Sequence, residues 1–155
     1  MKFTGPLLVV ADMDKAKKFY HDVLGLDVVL DFDANITLTG GISLQTKESW
    51  ATFIRRQESE IQFGGNNAEL YFEEDEFDNF IGKLNAMKGI EFIHPVIEHS
   101  WGQRVVRFYD ADKHIIEVGE NMEVVCRRFL NSGLSAEETA KRMDVPVEYV
   151  QSFIK

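Results

Sequence analysis

The feature that most constrains this chain is an internal repeat of helix and strand signals. Four apolar residues mark one face of an α-helix, with spacings of 3, 1 and 3: Ala16, Phe19, Tyr20 and Val23. The same spacings recur 61 residues later in a second set: Phe77, Phe80, Ile81 and Leu84. A short apolar run precedes each set. A glycine and then a β-prone run follow it, residues 26–32 in the first half and 90–93 in the second. The order strand, helix, glycine, strand therefore occurs twice.

Each half of the repeat continues with two further strand candidates. In the first half they are residues 35–38 and 42–46, joined by a Gly-Gly pair that is typical of a hairpin. In the second half they are residues 104–109 and 114–118, joined by a polar turn. Both halves thus predict the order β-α-β-β-β. One helix cannot cover both faces of a four-stranded sheet, so we expect the two modules to pair into a curled mixed sheet with a cavity.

The last part of the chain carries helical signals without strands. Apolar residues recur at helical spacing over 122–130, and Ser135 with Glu138 forms a capping box before a helix to about residue 143. Pro146 suits the first turn of a final helix through residue 154. We expect the apolar residues of this last helix to pack on the rest of the domain or on a second copy of the chain.

These signals together predict an α+β fold with a helical extension. The domain is expected over residues 1–120, with modules at about 3–60 and 67–120, and the extension over 121–155.

Composition narrows the class of protein and its partners. The chain has 155 residues, is 45% hydrophobic and carries a formal charge of −9, so it has enough apolar residues for a core and repels nucleic acid. Its single cysteine, Cys126, excludes an intrachain disulfide and suits a reducing cytoplasm. The apolar runs, such as residues 7–11, are far shorter than the ~20 residues of a membrane span. We therefore expect a soluble cytoplasmic protein, for which a homodimer is a common state.

Two motifs carry a resemblance to a known family. Residues 10–16 with Phe19-Tyr20 and residues 23–26 resemble the first-module signature of the vicinal oxygen chelate superfamily. Residues 101–110, with the strand that ends at Ile116-Glu117, resemble its final hairpin. This superfamily includes glyoxalase I, bleomycin-resistance proteins and extradiol dioxygenases. The resemblance covers about residues 3–120 and implies two βαβββ modules, each with a cup-shaped sheet.

The resemblance also implies where a metal ion would bind. Many members hold a divalent ion through one residue near the start of the first strand and one on the last strand of each module, and use it as a Lewis acid. In this chain the matching positions are Gly5, Gln45, Ala68 and Glu117. Asn67 and Glu69 are adjacent to Ala68, but at the four positions themselves only Glu117 offers an anionic ligand. A hard divalent ion generally needs more carboxylate or imidazole. We expect no metal cofactor; a site that combines Glu117 with a histidine is the alternative.

Glu117 is the candidate catalytic residue. The resemblance implies a position in the cup, where its carboxylate would polarise a ligand or act as a general base. Alternatively it pairs with Arg104 or Arg107 across the hairpin, which is a structural role.

Five residues are candidates for ligand binding. Aromatic side chains supply contact area to an apolar ligand, and Gln45 stands at a family ligand position. Trp101 lies in a Trp-Gly loop, where a hairpin needs no bulk, so we place it at the pocket rim. The set is Gln45, Trp50, Phe53, Trp101 and Tyr109.

Three functions are compatible with the sequence. The leading hypothesis is a protein like those of bleomycin resistance, which binds a small, partly apolar ligand in its cavity without a metal. The second is a metal-dependent lyase, isomerase or dioxygenase that uses Glu117. The third is an interaction module that docks through the C-terminal helices. Whether the chain catalyses a reaction is left open, because one fold hosts unrelated chemistries.

Overall fold

Two four-stranded mixed sheets form the framework of the computed structural model, which describes residues 1–154. The first sheet has the strand order β1-β4-β3-β2 and the second has the order β5-β8-β7-β6. In each sheet the first strand runs parallel to the last, and the other neighbours are antiparallel. The predicted βαβββ order is therefore confirmed in both halves.

Most elements begin and end within two residues of the predicted runs; the final helix ends at Ser152 and not at residue 154. The first module contains β1 (Leu7–Val10), α1 (Met13–Leu24), β2 (Val28–Asp31), β3 (Asn35–Leu38), β4 (Ser43–Thr46) and α2 (Lys47–Ile54). A 3₁₀ turn follows at Glu58–Glu60. The second module contains β5 (Glu69–Glu74), α3 (Phe77–Ala86), β6 (Glu91–Glu98), β7 (Arg104–Tyr109) and β8 (Ile115–Glu120). The tail contains α4 (Met122–Asn131), α5 (Ala136–Met143) and α6 (Val147–Ser152).

These elements form two compact units. The first comprises residues 1–68 together with the turn at 110–114, and the second comprises residues 69–109 and the chain from 115 onward. The C-terminal helices thus belong to the second unit. Across residues 1–154, no helix combines the length and apolar character that crossing a bilayer requires. The pairing of the two modules around a cavity stays a prediction.

Helix α1 begins and ends where its local chemistry dictates. The Asp12 carboxylate accepts a hydrogen bond from the backbone N–H of Lys15 at 3.0 Å, which satisfies a free donor of the first turn. Gly25 ends the helix with φ of +68°, a left-handed conformation that glycine adopts without strain. The predicted apolar face is confirmed, since Ala16, Tyr20 and Val23 are buried.

The turn between β7 and β8 is organised around the buried carboxylate of Asp110. Its Oδ1 accepts backbone N–H bonds from Asp112 at 2.9 Å and His114 at 2.8 Å. Its Oδ2 accepts the Tyr20 hydroxyl at 2.8 Å and lies 2.8 Å from His114 Nδ1. Burial disfavours the charged form, but these hydrogen bonds and the charge of His114 outweigh it, so the pKa of Asp110 lies below its ordinary value. The carboxylate therefore joins the turn to α1.

Strand β6 is longer than the sequence analysis predicted. The expected strand covered residues 90–93, whereas β6 continues through Pro95 to Glu98. Its pairing with β7 is irregular between His94 and Ile97, on either side of the proline. A proline is tolerated here because β6 is the edge strand of its sheet, where one side of the backbone needs no partner.

The C-terminal helices share an apolar cluster of their own. It contains Val125, Cys126, Ala140, Met143 and Val150, and both Val147 and Phe153 pack against it. Val147, Val150 and Phe153 of the last helix therefore pack with α4 and α5 inside the second unit, and packing of this helix on a second copy of the chain stays a prediction. The predicted capping box is confirmed: Ser135 and Glu138 exchange side-chain and backbone hydrogen bonds at the start of α5.

Replacing Asp110 with asparagine should destabilise the fold in a pH-dependent way. Asp110→Asn keeps the shape but loses a charged acceptor, so we expect the free energy of unfolding at neutral pH to fall by about 1–3 kcal/mol. The folded pKa of Asp110 lies below the unfolded value of about 3.9, so its stabilisation is present above that value and lost as pH falls through the folded pKa. Denaturant unfolding at several pH values should show the two proteins converging in acid.

The matched control is Asp33→Asn, at an exposed position in the first module. Its free energy of unfolding should stay within about 0.5 kcal/mol of the parent at every pH. Two results would contradict the role given to the Asp110 carboxylate. One is a similar loss in the free energy of unfolding in both variants, and the other is a difference between Asp110→Asn and the parent that grows in acid.

Candidate functional site

Four side chains form a row across the second sheet. Glu117 of β8 stands opposite Tyr71 of β5 on one side and Arg107 of β7 on the other. Arg107 in turn stands opposite His94 of β6. Residues that are directly opposite in a sheet point to the same face. We call the face that carries Tyr71, Arg107, Tyr109 and Glu117 the Arg107 face.

Helix α3 lies on the other face of this sheet. The Arg104 guanidinium stacks over the Phe77 ring at 5.2 Å, and its Nη1 donates to Asp78 Oδ1 at 2.8 Å. Phe77 and Asp78 are in the first turn of α3. Arg104 and Arg107 are three positions apart on one strand and therefore point to opposite faces. The Arg107 face is thus the one turned away from the helix of its own module.

The Arg107 guanidinium is the centre of this face. Its Nε donates to Glu69 Oε2 at 3.0 Å, its Nη2 contacts Glu117 Oε2, and its Nη1 lies 3.4 Å from His94 Nε2. Glu117 is only 5% exposed, so its charge is stabilised mainly by this arginine. Of the two arginines considered from the sequence, Arg107 is the partner, because it is the one in register with Glu117.

A second set of polar side chains lies on the same sheet, next to the start of β7. Trp101 Nε1 donates to Gln103 Oε1 at 3.2 Å, and Gln103 Nε2 donates to the Tyr71 hydroxyl at 2.7 Å. Tyr71 in turn donates to Glu73 Oε1 at 3.0 Å, and burial raises the pKa of its phenol. The indole of Trp101 stacks on the His99 ring with 4.2 Å between centroids. Trp101 is therefore coupled to Tyr71, which stands beside Glu117.

Gly119 makes room for these polar side chains. A Cβ atom at position 119 would lie 2.7 Å from Gln103 Nε2 and 3.2 Å from Tyr71 Cε2. Gly119 is two residues beyond Glu117 and so shares its face. Sequence reasoning missed Tyr71, Gln103 and Gly119. Strand alternation places these residues on the same face as Glu117. That pattern identifies them only when it is known which strands pair and in which register.

The other predicted residues divide between the two units. Trp101, Tyr109 and Glu117 belong to the second unit; Trp101 and Tyr109 are partly buried. Gln45, Trp50 and Phe53 belong to the first.

Gln45 is held by neighbours within the first unit. The side chain of Gln45 is 2% exposed, accepts from Asn35 Nδ2 at 2.6 Å and donates to the Ser49 hydroxyl. On α2, Trp50 is partly buried and Phe53 is 70% exposed. Both residues lie on α2, which is a complete two-turn helix, Lys47–Ile54.

The positions that would hold the family metal do not fit a divalent ion. Position 5 cannot carry a donor side chain, since a Cβ on Gly5 would lie 2.1 Å from the backbone oxygen of Gly41. Ala68 offers only a methyl group, and the amide of Gln45 is already bonded. Glu117 is paired with Arg107. In the part of the chain that the structure describes, no three His, Cys, Asp or Glu side chains are arranged around a common ion position.

Comparison with known proteins places the chain in a family. The family model of the glyoxalase-like domain matches residues 3–123. A protein of unknown function from Agrobacterium tumefaciens str. C58 is 36% identical, with a TM-score of 0.69 over 78% of this chain and 94% of that one.

Two more distant structures share the fold. A glyoxalase/bleomycin resistance protein/dioxygenase from Nocardioides is 20% identical, with a TM-score of 0.64 over 77% of this chain and 83% of its own. A glyoxalase-related enzyme from Fulvimarina pelagi is 16% identical, with a TM-score of 0.66 over 78% and 88%. A search of the curated proteins found no match. The sequence motifs, the two βαβββ modules and the match over residues 3–123 show that this chain belongs to the glyoxalase-like domain family.

Proposed function

We propose that this chain binds a small, partly apolar molecule on the Arg107 face and does so without a divalent metal. The observation that carries the proposal is the position of the Arg107 guanidinium between Glu69 and Glu117. The two carboxylates that could contribute to a metal site in this module are already paired with a cation of the protein itself.

A divalent ion at this position would face an electrostatic cost. It would have to approach a fixed positive charge and replace it as the partner of Glu117, which is 5% exposed. The displaced guanidinium would lose its carboxylate partner and lie close to a second positive charge, and like charges at that distance repel each other. The arginine supplies hydrogen-bond donors that polarise a ligand oxygen, and it holds them in a fixed plane.

The remaining groups on this face suit a ligand with both apolar and polar parts. Tyr71 is 47% exposed and Trp101 is partly buried, so both rings offer contact area to an apolar group. The Tyr71 hydroxyl, which the buried Gln103 amide holds in place, offers a further hydrogen bond to a ligand. Ligand sites combine these features: an apolar lining with a few placed polar groups. The other predicted ligand contacts stay predictions: Tyr109 on the same face, and Gln45, Trp50 and Phe53 in the first unit.

In this proposal Glu117 orients Arg107 rather than acting on a metal. Its carboxylate fixes one edge of the guanidinium, as Glu69 fixes another. A ligand would then meet Arg107 in a defined orientation.

Glu117→Gln should weaken ligand binding and leave the fold intact. The amide keeps the shape but loses the charge that fixes Arg107, so we expect affinity to fall about tenfold, equivalent to 1.4 kcal/mol. Thermal-shift screening of partly apolar compounds would supply the ligand, and calorimetric titration would give its dissociation constant. The control is Glu123→Gln, which removes only an exposed ion pair on α4. Unchanged affinity in Glu117→Gln would refute the role given to this residue.

Arg107→Met should let divalent ions bind weakly where the native chain excludes them. With the guanidinium removed, the carboxylates of Glu69 and Glu117 lose the cation that pairs with them, and carboxylate oxygens are ligands that Mn²⁺ accepts. Calorimetric titration should detect divalent-ion binding in Arg107→Met, but not in Arg107→Met/Glu117→Gln or in the surface control Arg127→Met. If Arg107→Met gains no ion binding, the guanidinium is not what keeps a metal out.

The native protein provides the direct test of metal independence. Elemental mass spectrometry on protein purified without a chelator or affinity tag should find no stoichiometric metal, before or after soaking in a panel of divalent ions. Near-stoichiometric nickel, zinc, iron or manganese would overturn the proposal and favour a metal-dependent enzyme.

A further inference from the structure

The loop that carries Trp101 is a tight turn between β6 and β7. The backbone N–H of His99 donates to the backbone carbonyl oxygen of Gln103 at 2.9 Å. The backbone N–H of Gly102 donates to the backbone carbonyl oxygen of His99 at 2.8 Å. These bonds leave the carbonyl oxygens of Ser100 and Gly102 available to other partners. We call residues 99–103 the Trp101 loop.

Two arginines of the C-terminal helices bind those two carbonyl groups. Arg128 on α4 donates from Nη2 to the Gly102 oxygen at 2.6 Å. Arg142 on α5 donates from Nη1 to the Ser100 oxygen, and from Nη2 to Glu98 Oε1 at 3.1 Å. The loop is therefore held from two helices at once, by charge-assisted hydrogen bonds.

The ring of Phe129 completes this contact. A Cβ atom on Gly102 would lie 2.3 Å from Phe129 Cζ, so the ring packs directly on the glycine backbone. The guanidinium carbons of Arg128 and Arg142 each lie 5.0 Å from the centre of the same ring, which is cation–π distance. Gly102 also has φ of +89°, so both its conformation and the space around it require glycine.

The contacts of the loop lead directly to the Arg107 face. Trp101 is bonded to Gln103, and Gln103 is bonded to the Tyr71 hydroxyl. Any displacement of the loop would therefore move the indole and the partner of Tyr71 together. Arg128 also lies 3.1 Å from Glu120 Oε2 on the adjacent strand, which fixes α4 to the sheet itself.

We infer that the C-terminal extension is a positioning element of the ligand-binding face, in which Arg128 and Arg142 fix the Trp101 loop. The predicted effect on ligand binding rests on the proposed function. The predicted effect on the position of the Trp101 loop does not. The match to the glyoxalase-like domain ends at residue 123, so both arginines lie beyond the matched domain. The buried apolar residues of the tail pack within the tail cluster, whereas Arg128, Arg142 and the ring of Phe129 contact the loop.

The first experiment reads the position of Trp101 without any ligand. The chain has two tryptophans, so Trp50→Phe leaves Trp101 as the single indole fluorophore. In this background, Arg128→Met and Arg142→Met are each compared with Arg127→Met, which removes only an exposed partner of Glu123. Acrylamide quenching of Trp101 fluorescence should rise about twofold in Arg128→Met and in Arg142→Met, because a loosened loop opens more often. It should stay unchanged in Arg127→Met.

Conservative variants separate positioning from loss of fold. Arg128→Lys and Arg142→Lys keep the positive charge and an ammonium group that donates to a carbonyl oxygen. Each should therefore show quenching between that of the native protein and that of the matching methionine variant. Circular dichroism and the unfolding midpoint identify any variant that has lost its structure. Native-like quenching in folded Arg128→Met and Arg142→Met proteins would overturn the inference, even if both are less stable.

Binding provides the second readout. For a compound retained from the thermal-shift screen, Arg128→Met and Arg142→Met should each raise the dissociation constant about tenfold, while Arg127→Met leaves it unchanged. Native affinity in variants with raised quenching would refute the link between the loop and the ligand. If no compound binds the native protein, the proposed function fails, and the quenching result still decides whether the tail positions the loop.

Discussion

The ion pair between Arg107 and Glu117 is the interaction on which the arrangement of the Arg107 face depends. Glu117 is 5% exposed, and a carboxylate taken out of water needs a compensating partner. Arg107 supplies that partner from the adjacent strand and is itself fixed by Glu69. The pair sets the charge of the face, because one guanidinium serves two carboxylates. It also determines what a ligand would meet there.

This pair exists only because the β7–β8 hairpin has the right register. The turn at its tip closes around Asp110, whose carboxylate accepts the backbone N–H groups of Asp112 and His114. A slip of one residue would turn Arg107 or Glu117 to the other face of the sheet. The hydrogen bonds of Asp110 thus close the hairpin whose register places Arg107 opposite Glu117.

The departure from the family's metal positions has a coherent physical explanation. At Gly5 a side chain would meet the backbone of Gly41, and at Glu117 an internal cation already pairs with the carboxylate. A fold that hosts many chemistries can keep its strand order while its site residues change. In this chain, the interactions of the face come instead from an arginine, a tyrosine–glutamine pair and a tryptophan loop held by the C-terminal helices.

The sequence by itself determined the order of the elements, because helix periodicity, caps and turn glycines are set by neighbours along the chain. Gly25, the Ser135–Glu138 capping box and the limits of β3 and β7 are of this kind. It also identified Glu117 and Trp101 as residues to examine. Only the tertiary structure decided that Glu117 pairs with Arg107 and not Arg104, and that Tyr71 bonds to Gln103, 32 positions away. It alone showed that Arg142 reaches Ser100, 42 positions away. Such contacts depend on strand register and helix packing, which join residues distant in sequence and leave no periodic pattern along the chain.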